Sequence, residues 1–250
     1  MTDSTTPADT RSSGRHSGSG SRGWKTFLRD VLVIFVVALL VSVLIKAFLI
    51  RSFYIPSASM EDTLQINDRI VVNQLTPRLM PLQRGDVVVF RDPGGWLTPS
   101  PQVDKPPIAA AVDWALTTVG LSASDSNDHL IKRLIGLPGD HVFCCNSLGQ
   151  MSVNDVPLDE PYIKLVPGVT RASDVDFDVT VPADSLWVMG DNRGNSSDSR
   201  YNQEGPTRGF VPIDHVVGRA FVITWPIDRW TILGDHPETF GDVPDAVPAG

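Results

Sequence analysis

Twenty consecutive residues, Val31 to Ile50, are Val, Leu, Ile, Phe and Ala, interrupted only by Ser42 and Lys46. A helix of that length rises about 30 Å, the thickness of one bilayer core, and no other segment of the chain is able to cross one. Lys46 stands one turn from the far end, where its aliphatic stem lifts the ammonium into the headgroup region. Residues 1–29 hold five basic side chains (Arg11, Arg15, Arg22, Lys25, Arg29) against Asp3 and Asp9, a net +3 that leaves −11 for the rest of a chain of formal charge −8. The positive-inside bias therefore puts residues 1–29 in the cytoplasm and residues after about 51 outside. A cleaved secretory signal shares the basic start and the apolar run. The length of this run, and its direct continuation into the polar sequence beyond, favour a retained anchor.

With 250 residues, 42% hydrophobic and 20% charged, the chain can hold one sizeable domain with a real core. Its negative charge and the lack of a Lys/Arg stripe argue against a nucleic-acid partner. The two cysteines, Cys144 and Cys145, are adjacent, with Cα atoms about 3.8 Å apart across a trans peptide. A typical bridge spans about 4.4 to 6.8 Å, so a vicinal bond is strained; free thiols, a strained bridge and a bridge to another chain all remain open. No second group falls at ligand spacing around this pair or the five scattered histidines, so no metal site is expected.

Met1 to Gly23, rich in Ser, Thr and Gly without periodic apolar residues, reads as part of a disordered basic tail covering residues 1–29, ahead of a transmembrane helix over 30–50. Short β-rich runs follow: Ile70 to Asn73, Asp86 to Phe90, Leu130 to Ile135, His141 to Cys144, Val179 to Val181, Ser185 to Met189 and Val217 to Thr224. Gly85-Asp86 and Gly139-Asp140 look like turns feeding strands, and Asn154-Asp155 like a hairpin tip. The expectation is an all-β, antiparallel domain over residues 51–233. Within the Pro-Gly-punctuated stretch 92–128, Ile108 to Leu121 is expected to be a short helix, packed on the sheet or lying at the headgroup layer. Gly234 to Gly250, with its Pro, Gly and Asp, reads as a loose tail.

Ser59, in F-Y-I-P-S-A-S-M-E-D-T-L just beyond the apolar run, is a candidate nucleophile, and a serine hydroxyl needs a base to take its proton. His129, His141, His215 and His236 sit in no recognisable nucleophile-and-base arrangement, and there is no G-x-S-x-G elbow. Lysine serves as a base only as the neutral amine, which burial among apolar groups favours. Lys132 fits, flanked by Leu130, Ile131, Leu134 and Ile135, although a lone lysine in a strand usually stands on the exposed face.

Four blocks together decide the matter: I-P-S-A-S-M within Phe53 to Leu64, R-G-D-V-V-V-F over Arg84 to Phe90, I-K-R-L-I-G-L-P-G-D over Ile131 to Asp140, and M-G-D-N-R-G-N-S-S-D-S-R-Y over Met189 to Tyr201. In this order behind an apolar span they closely resemble type I signal peptidase, the bacterial leader peptidase family, over roughly residues 30–230. The resemblance implies a membrane-anchored serine endopeptidase that removes signal peptides from exported precursors, built as a coiled antiparallel β fold with a Ser/Lys dyad and no cofactor. By position it implies Ser59 as nucleophile and Lys132 as general base. Ser57 would join the Ser59 backbone N–H in the oxyanion hole, and Ser196 would orient the lysine amine. Asp191, Arg193, Asp198 and Arg200 would form an ion-paired loop bracing Ser196.

The family binds substrates as extended strands with small residues at the first and third positions before the cut, so the partners implied are signal-peptide-bearing precursors and the lipid bilayer, with the enzyme a monomer. Phe53, Ile55, Leu64, Ile70, Val89, Leu130 and Ile131 match its two shallow pockets; any one of them is equally ordinary core. Two positions depart from the family: Asp62 where proline is common, and Gly194 where an acidic residue is frequent. Independently of the resemblance, the nine residues from Ile50 to Ser59 reach only about 30 Å when fully extended, which holds the serine near the lipid. Two rivals remain. A self-cleaving repressor-type Ser/Lys peptidase lacks an anchor and usually carries a DNA-binding module; a catalytically silent anchored protein has no need of Ser57, Ser59, Lys132 and Ser196 together.

Overall fold

The computed structural model describes residues 20–97 and 128–246, so the expected helix over Ile108 to Leu121 lies outside the described residues. Its contacts divide the chain into two units, 1–42 and 43–250. A long helix, α1, runs Gly20–Phe48. It begins inside the segment expected to be a disordered tail, and the Trp24 and Phe27 rings stack on it at 5.9 Å, one turn apart. Val31, Leu32, Ile34, Phe35 and Leu40 are all exposed on this helix. Among the described residues no helix is long and apolar enough to cross a membrane.

The second unit is built on antiparallel strands. β1 (Ile50–Tyr54), β2 (Arg69–Asn73), β3 (Val87–Arg91), β4 (His129–Gly136), β9 (Ser185–Met189), β10 (Val211–Pro212), β11 (Val216–Trp225) and β12 (Thr231–Ile232) make one sheet, ordered β1-β2-β11-β3-β4-β9-β10, with β12 paired to β11. β5 (His141–Cys144), β6 (Met151–Val153), β7 (Val156–Pro157) and β8 (Phe177–Thr180) make a second, ordered β7-β6-β5-β8. Asn154 and Asp155 join β6 to β7 with φ of 50° and 66°, the left-handed pair that a two-residue hairpin requires.

Every expected run is a strand or overlaps one, because Val, Ile and Phe there are bounded by turn residues. β1 was not anticipated: Ile50 ends an apolar run that continues without punctuation into the strand. β4 departs from the alternation of a half-exposed strand, since everything from Leu130 to Gly136 is buried. Leu130 and Leu134 pack with Val88, Phe90, Leu186 and Val188, Ile131 joins Phe53, Ile55, Leu64 and Val89, and Ile135 joins Val142, Trp187 and Met189. A strand central to three apolar clusters offers Lys132 no exposed face; the lysine is 4% exposed.

The tail expected from Gly234 onward is instead packed as far as the structure describes it. Pro237–Phe240 is a helical turn, and Phe240 and Val243 are buried in the cluster around the second sheet. Arg84 donates to the Val243 and Pro244 carbonyls while its guanidinium grips Asp140 at 2.7 Å. Gly85, at φ 89°, lies so close to the Asp235 carbonyl that any Cβ would collide with it. The apolar pair Phe240 and Val243, hidden among Pro and Asp, accounts for the difference. Cys144 and Cys145 are bonded to each other at the end of β5. Of the three states the sequence left open, the structure carries the vicinal bridge.

Replacing Phe240 by Ala removes a ring 6% exposed, and we expect about 3 kcal/mol of destabilisation in urea unfolding of the full chain. A loss under about 0.5 kcal/mol would mean that the segment is loose after all.

Candidate active site

Ser59 rides on the turn that follows β1, pinned from below by Met60 and Leu64, both fully buried. Backbone bonds close the turn: Glu61 N–H donates to the Ala58 carbonyl at 3.2 Å and Leu64 N–H to the Met60 carbonyl at 2.7 Å. From above, Asn192 holds the same loop twice. Its N–H donates to the Ser59 carbonyl at 3.1 Å and its side-chain amide to the Ala58 carbonyl at 3.1 Å.

Lys132 comes from the middle of β4, opposite Val88 of β3. Its Nζ lies 2.8 Å from the Ser59 hydroxyl and 3.0 Å from its neighbour's carbonyl, that of Ile131. Ser57 Oγ is 3.3 Å from Ser59 Oγ. Three residues that the sequence suggested are thus brought together across a separation of 73 positions. Burial lowers the Lys132 pKa to about 8 from 10.5, outweighing the pull of Asp198 and Asp191 toward the charged form, while Arg200 adds to the lowering.

Those carboxylates do not reclaim the proton because arginines already hold them. Asp198 is gripped by Arg200 at 2.9 and 2.8 Å and accepts the Gly190 N–H at 2.9 Å. Burial opposes its ionisation, yet these donors keep its carboxyl below the usual range. Asp191 is taken by Arg133 of β4 at 2.8 and 2.7 Å and by the Thr63 hydroxyl at 2.5 Å. Arg193 pairs with Glu160 at 3.0 and 2.5 Å. The block 190–200 was expected to pair its own charges. Asp198 and Arg200 do so, but the partners of Asp191 and Arg193 come from outside it. Arg133, fully buried beneath the Tyr162 ring at 4.2 Å, ties β4 to the turn beyond Ser59 through Asp191.

Ser196 is placed differently from the expectation that its hydroxyl orients the amine. It is buried beside Gly190, where a Cβ would collide with both Ser196 Oγ and the Ser59 carbonyl oxygen. Its hydroxyl makes no hydrogen bond to the Lys132 amine; it lies by the Asp198 carboxyl, which it helps hold below the usual range. The amine is aimed instead by the Ile131 carbonyl.

Six of the seven expected pocket residues, Phe53, Ile55, Ile70, Val89, Leu130 and Ile131, line one shallow cavity with Tyr54, Pro56 and His129. Leu64 does not; it is wholly enclosed in the core beneath the turn. Of the two departures, Asp62 faces Lys164, whose ammonium lies 3.2 Å from Glu61 and 3.6 Å from Asp62. At Gly194, the Val166 side chain sits where a Cβ would go.

Asn192, Arg133, Thr63 and Glu160 were not singled out in the sequence. Arg133 and Asn192 sit inside the I-K-R and G-D-N-R blocks, so the blocks themselves carried the signal. Thr63 and Glu160 lie in stretches where nothing distinguishes a buried acceptor from a surface residue.

A buried serine hydroxyl facing an amine that gives up its proton near pH 8 can attack a carbonyl. The signal peptidase, peptidase S26, family model matches residues 28–225. The chain belongs to that family. Among its relatives, a probable signal peptidase I from Mycobacterium leprae is 36% identical over 237 residues, 84% of this chain and 80% of the relative. A signal peptidase I from Mycobacterium tuberculosis is 36% identical over 84% of this chain and 76% of its own length. A probable signal peptidase I-2 from a Synechocystis species is 38% identical over 81% and 76%. A crystal structure of a signal peptidase I from Enterococcus faecalis is 27% identical and covers 55% of this chain and 95% of that one, at a TM-score of 0.34.

A buried, proton-shedding amine weakens the folded state at neutral pH. Lys132 binds its proton less tightly folded than unfolded, so its contribution to stability rises with pH between about 8 and 10.5 and is at its worst below 8. We expect Lys132→Met to stabilise the protein by about 2 kcal/mol at pH 7 in urea unfolding, the gain shrinking toward pH 10.5. A gain that does not shrink over that range contradicts the assignment.

Proposed function

We propose that this chain is a membrane-anchored signal peptidase, a serine endopeptidase that removes signal peptides from exported precursor proteins by cutting after small-x-small sites. The observation that carries this reading is the 2.8 Å contact between a deeply buried lysine amine and the Ser59 hydroxyl. Family membership and relatives that bear the name signal peptidase I support it.

In this reading Ser59 Oγ attacks the carbonyl carbon of the scissile bond while its proton passes to the neutral Lys132 Nζ. The tetrahedral intermediate places negative charge on the former carbonyl oxygen, where the Ser57 hydroxyl and the Ser59 N–H donate to it; each such donor typically lowers the barrier by about 3 to 4 kcal/mol. Lys132 then gives its proton to the departing amine, leaving the signal peptide as an ester on Ser59. Water, deprotonated by the same amine, hydrolyses that ester and restores the serine. In this reading the Ile131 carbonyl orients the amine, and Ser196 lies on the loop beside the Asp198 carboxyl. Asp191, Arg193, Asp198 and Arg200 brace the loop that carries Ser196. The chemistry uses these side chains alone, without a cofactor.

Phe53, Ile55, Ile70, Val89, Leu130 and Ile131 offer a shallow apolar surface on which an extended substrate lays small side chains. For the anchor, the apolar sequence from Val31 to Ile50 supports a span with residues 1–29 in the cytoplasm and the catalytic unit outside. The catalytic unit itself exposes Trp225, Ile227, Trp230 and Ile232 around the β11–β12 connection, a cluster of the kind that rests in a headgroup layer.

Incubated in detergent with a signal-bearing precursor, the parent chain is expected to cut once, after small-x-small, as read by mass spectrometry of the products. Ser59→Ala and Lys132→Ala are each expected to lower the rate by at least about 10³-fold, while β-rich circular dichroism is retained. Cleavage by either variant near the parental rate would refute the dyad.

A further inference from the structure

Lys164 lies against the loop that carries Asp191 and Asn192. Its N–H donates to the Asp191 carbonyl at 2.8 Å and its own carbonyl accepts the Arg193 N–H at 3.0 Å, a parallel bridge between residues 164 and 192. From there the side chain reaches the turn that holds Ser59, where the ammonium lies 3.2 Å from Glu61 and 3.6 Å from Asp62.

Glu61 belongs to two consecutive turns. It closes the four-residue turn Ala58 to Glu61, in which Ser59 is the second residue, through an N–H···O bond of 3.2 Å, the long end of the ordinary range. It also lies inside the turn that Leu64 N–H closes on the Met60 carbonyl at 2.7 Å. Three grips hold this segment in chain order: Asn192 on Ala58 and Ser59, Lys164 on Glu61 and Asp62, and Asp191 on Thr63. The first and third come from the loop itself, and the second comes from the residue bonded along it.

The middle grip differs in kind. The pairs Arg133–Asp191, Arg193–Glu160 and Arg200–Asp198 are buried, whereas the Lys164 side chain is 43% exposed and that of Asp62 74%. A pair so exposed contributes little to global stability. Its position gives it another effect. A turn loosened between Ala58 and Thr63 lets the Ser59 hydroxyl drift from its 2.8 Å contact with Lys132, and small displacements of a reacting atom are costly.

Resting on the proteolytic reading above, we propose that Lys164 is a positioning residue: by holding Glu61 and Asp62 it fixes the turn so that Ser59 faces Lys132, and it thereby sets the rate of attack and not the binding of the precursor.

The test measures kcat and KM on a signal-bearing precursor with the full chain in detergent. Lys164→Met keeps the backbone bonds and most of the aliphatic stem while removing the charge. It is expected to lower kcat about fourfold, with KM and the urea midpoint unchanged. Lys164→Arg, which keeps a cation for both carboxylates, is expected to bring kcat back to within about 1.5-fold of the parent. The acceptor variant, Glu61→Gln with Asp62→Asn, is expected to show the same loss of about fourfold, and adding Lys164→Met to it is expected to cost nothing further, where independent effects would multiply to about sixteenfold. The proposal is overturned, with the dyad left in place, by a loss confined to KM, by a kcat in Lys164→Met within about 1.5-fold of the parent, by Lys164→Arg no better than Lys164→Met, or by a loss of about sixteenfold in the triple variant. Failure of the parent to cut the precursor is a distinct result that overturns the proteolytic reading and this inference with it.

Discussion

The structure depends on keeping one amine uncharged beside one hydroxyl. A lysine buried to 4% exposure normally recruits a carboxylate, which would restore its charge and end its use as a base. Here the nearby carboxylates are all committed. Arg200 holds Asp198, Arg133 holds Asp191, and Arg193 holds Glu160, each through two contacts of 3.0 Å or less. What reaches Lys132 from Asp198 and Asp191 is residual attraction, and desolvation exceeds it.

The same arginines do mechanical work. Arg133 follows Lys132 directly in β4, so the ion pair that neutralises Asp191 also fixes the strand against the loop 190–193. That loop holds the Ser59 turn through Asn192, and Asp191 reaches the turn again through Thr63. Gly190 completes the fit, since only a residue without Cβ lets the loop lie against both Ser196 and the Ser59 carbonyl. Electrostatics and geometry are set by one group of bonds, and for that reason breaking a buried pair here is expected to cost more than its net contribution to stability.

Much of this was legible in the residues. Strands with Val, Ile and Phe between Gly, Pro and Asn turns carry a local signal, and Asn154-Asp155 specified its hairpin alone. The pairing of Ser59 with Lys132 was legible only through the four blocks taken together, because no local rule reports that two side chains 73 positions apart will meet. The differences between sequence pattern and structure have a common cause. Phe240 and Val243 looked like a loose tail, since an apolar residue among Pro and Asp shows its burial only once Gly85 and Arg84 are there to receive it. Leu64 looked like a pocket wall because sequence alone does not separate a side chain under a turn from one beside it. Arg193 stands among acidic residues of its own block, yet its acceptor, Glu160, is 33 positions away.

The most direct test follows the Lys132 amine itself. With lysine Cε and Nζ isotopically labelled in the full chain in detergent, and the Lys132 signal assigned by its loss in Lys132→Met, nuclear magnetic resonance across pH 6 to 11 reports the titration of this one group. The account predicts a midpoint at about 8. A midpoint at the ordinary lysine value of 10.5 would contradict it, for the amine would then be an ammonium at working pH and no base for Ser59.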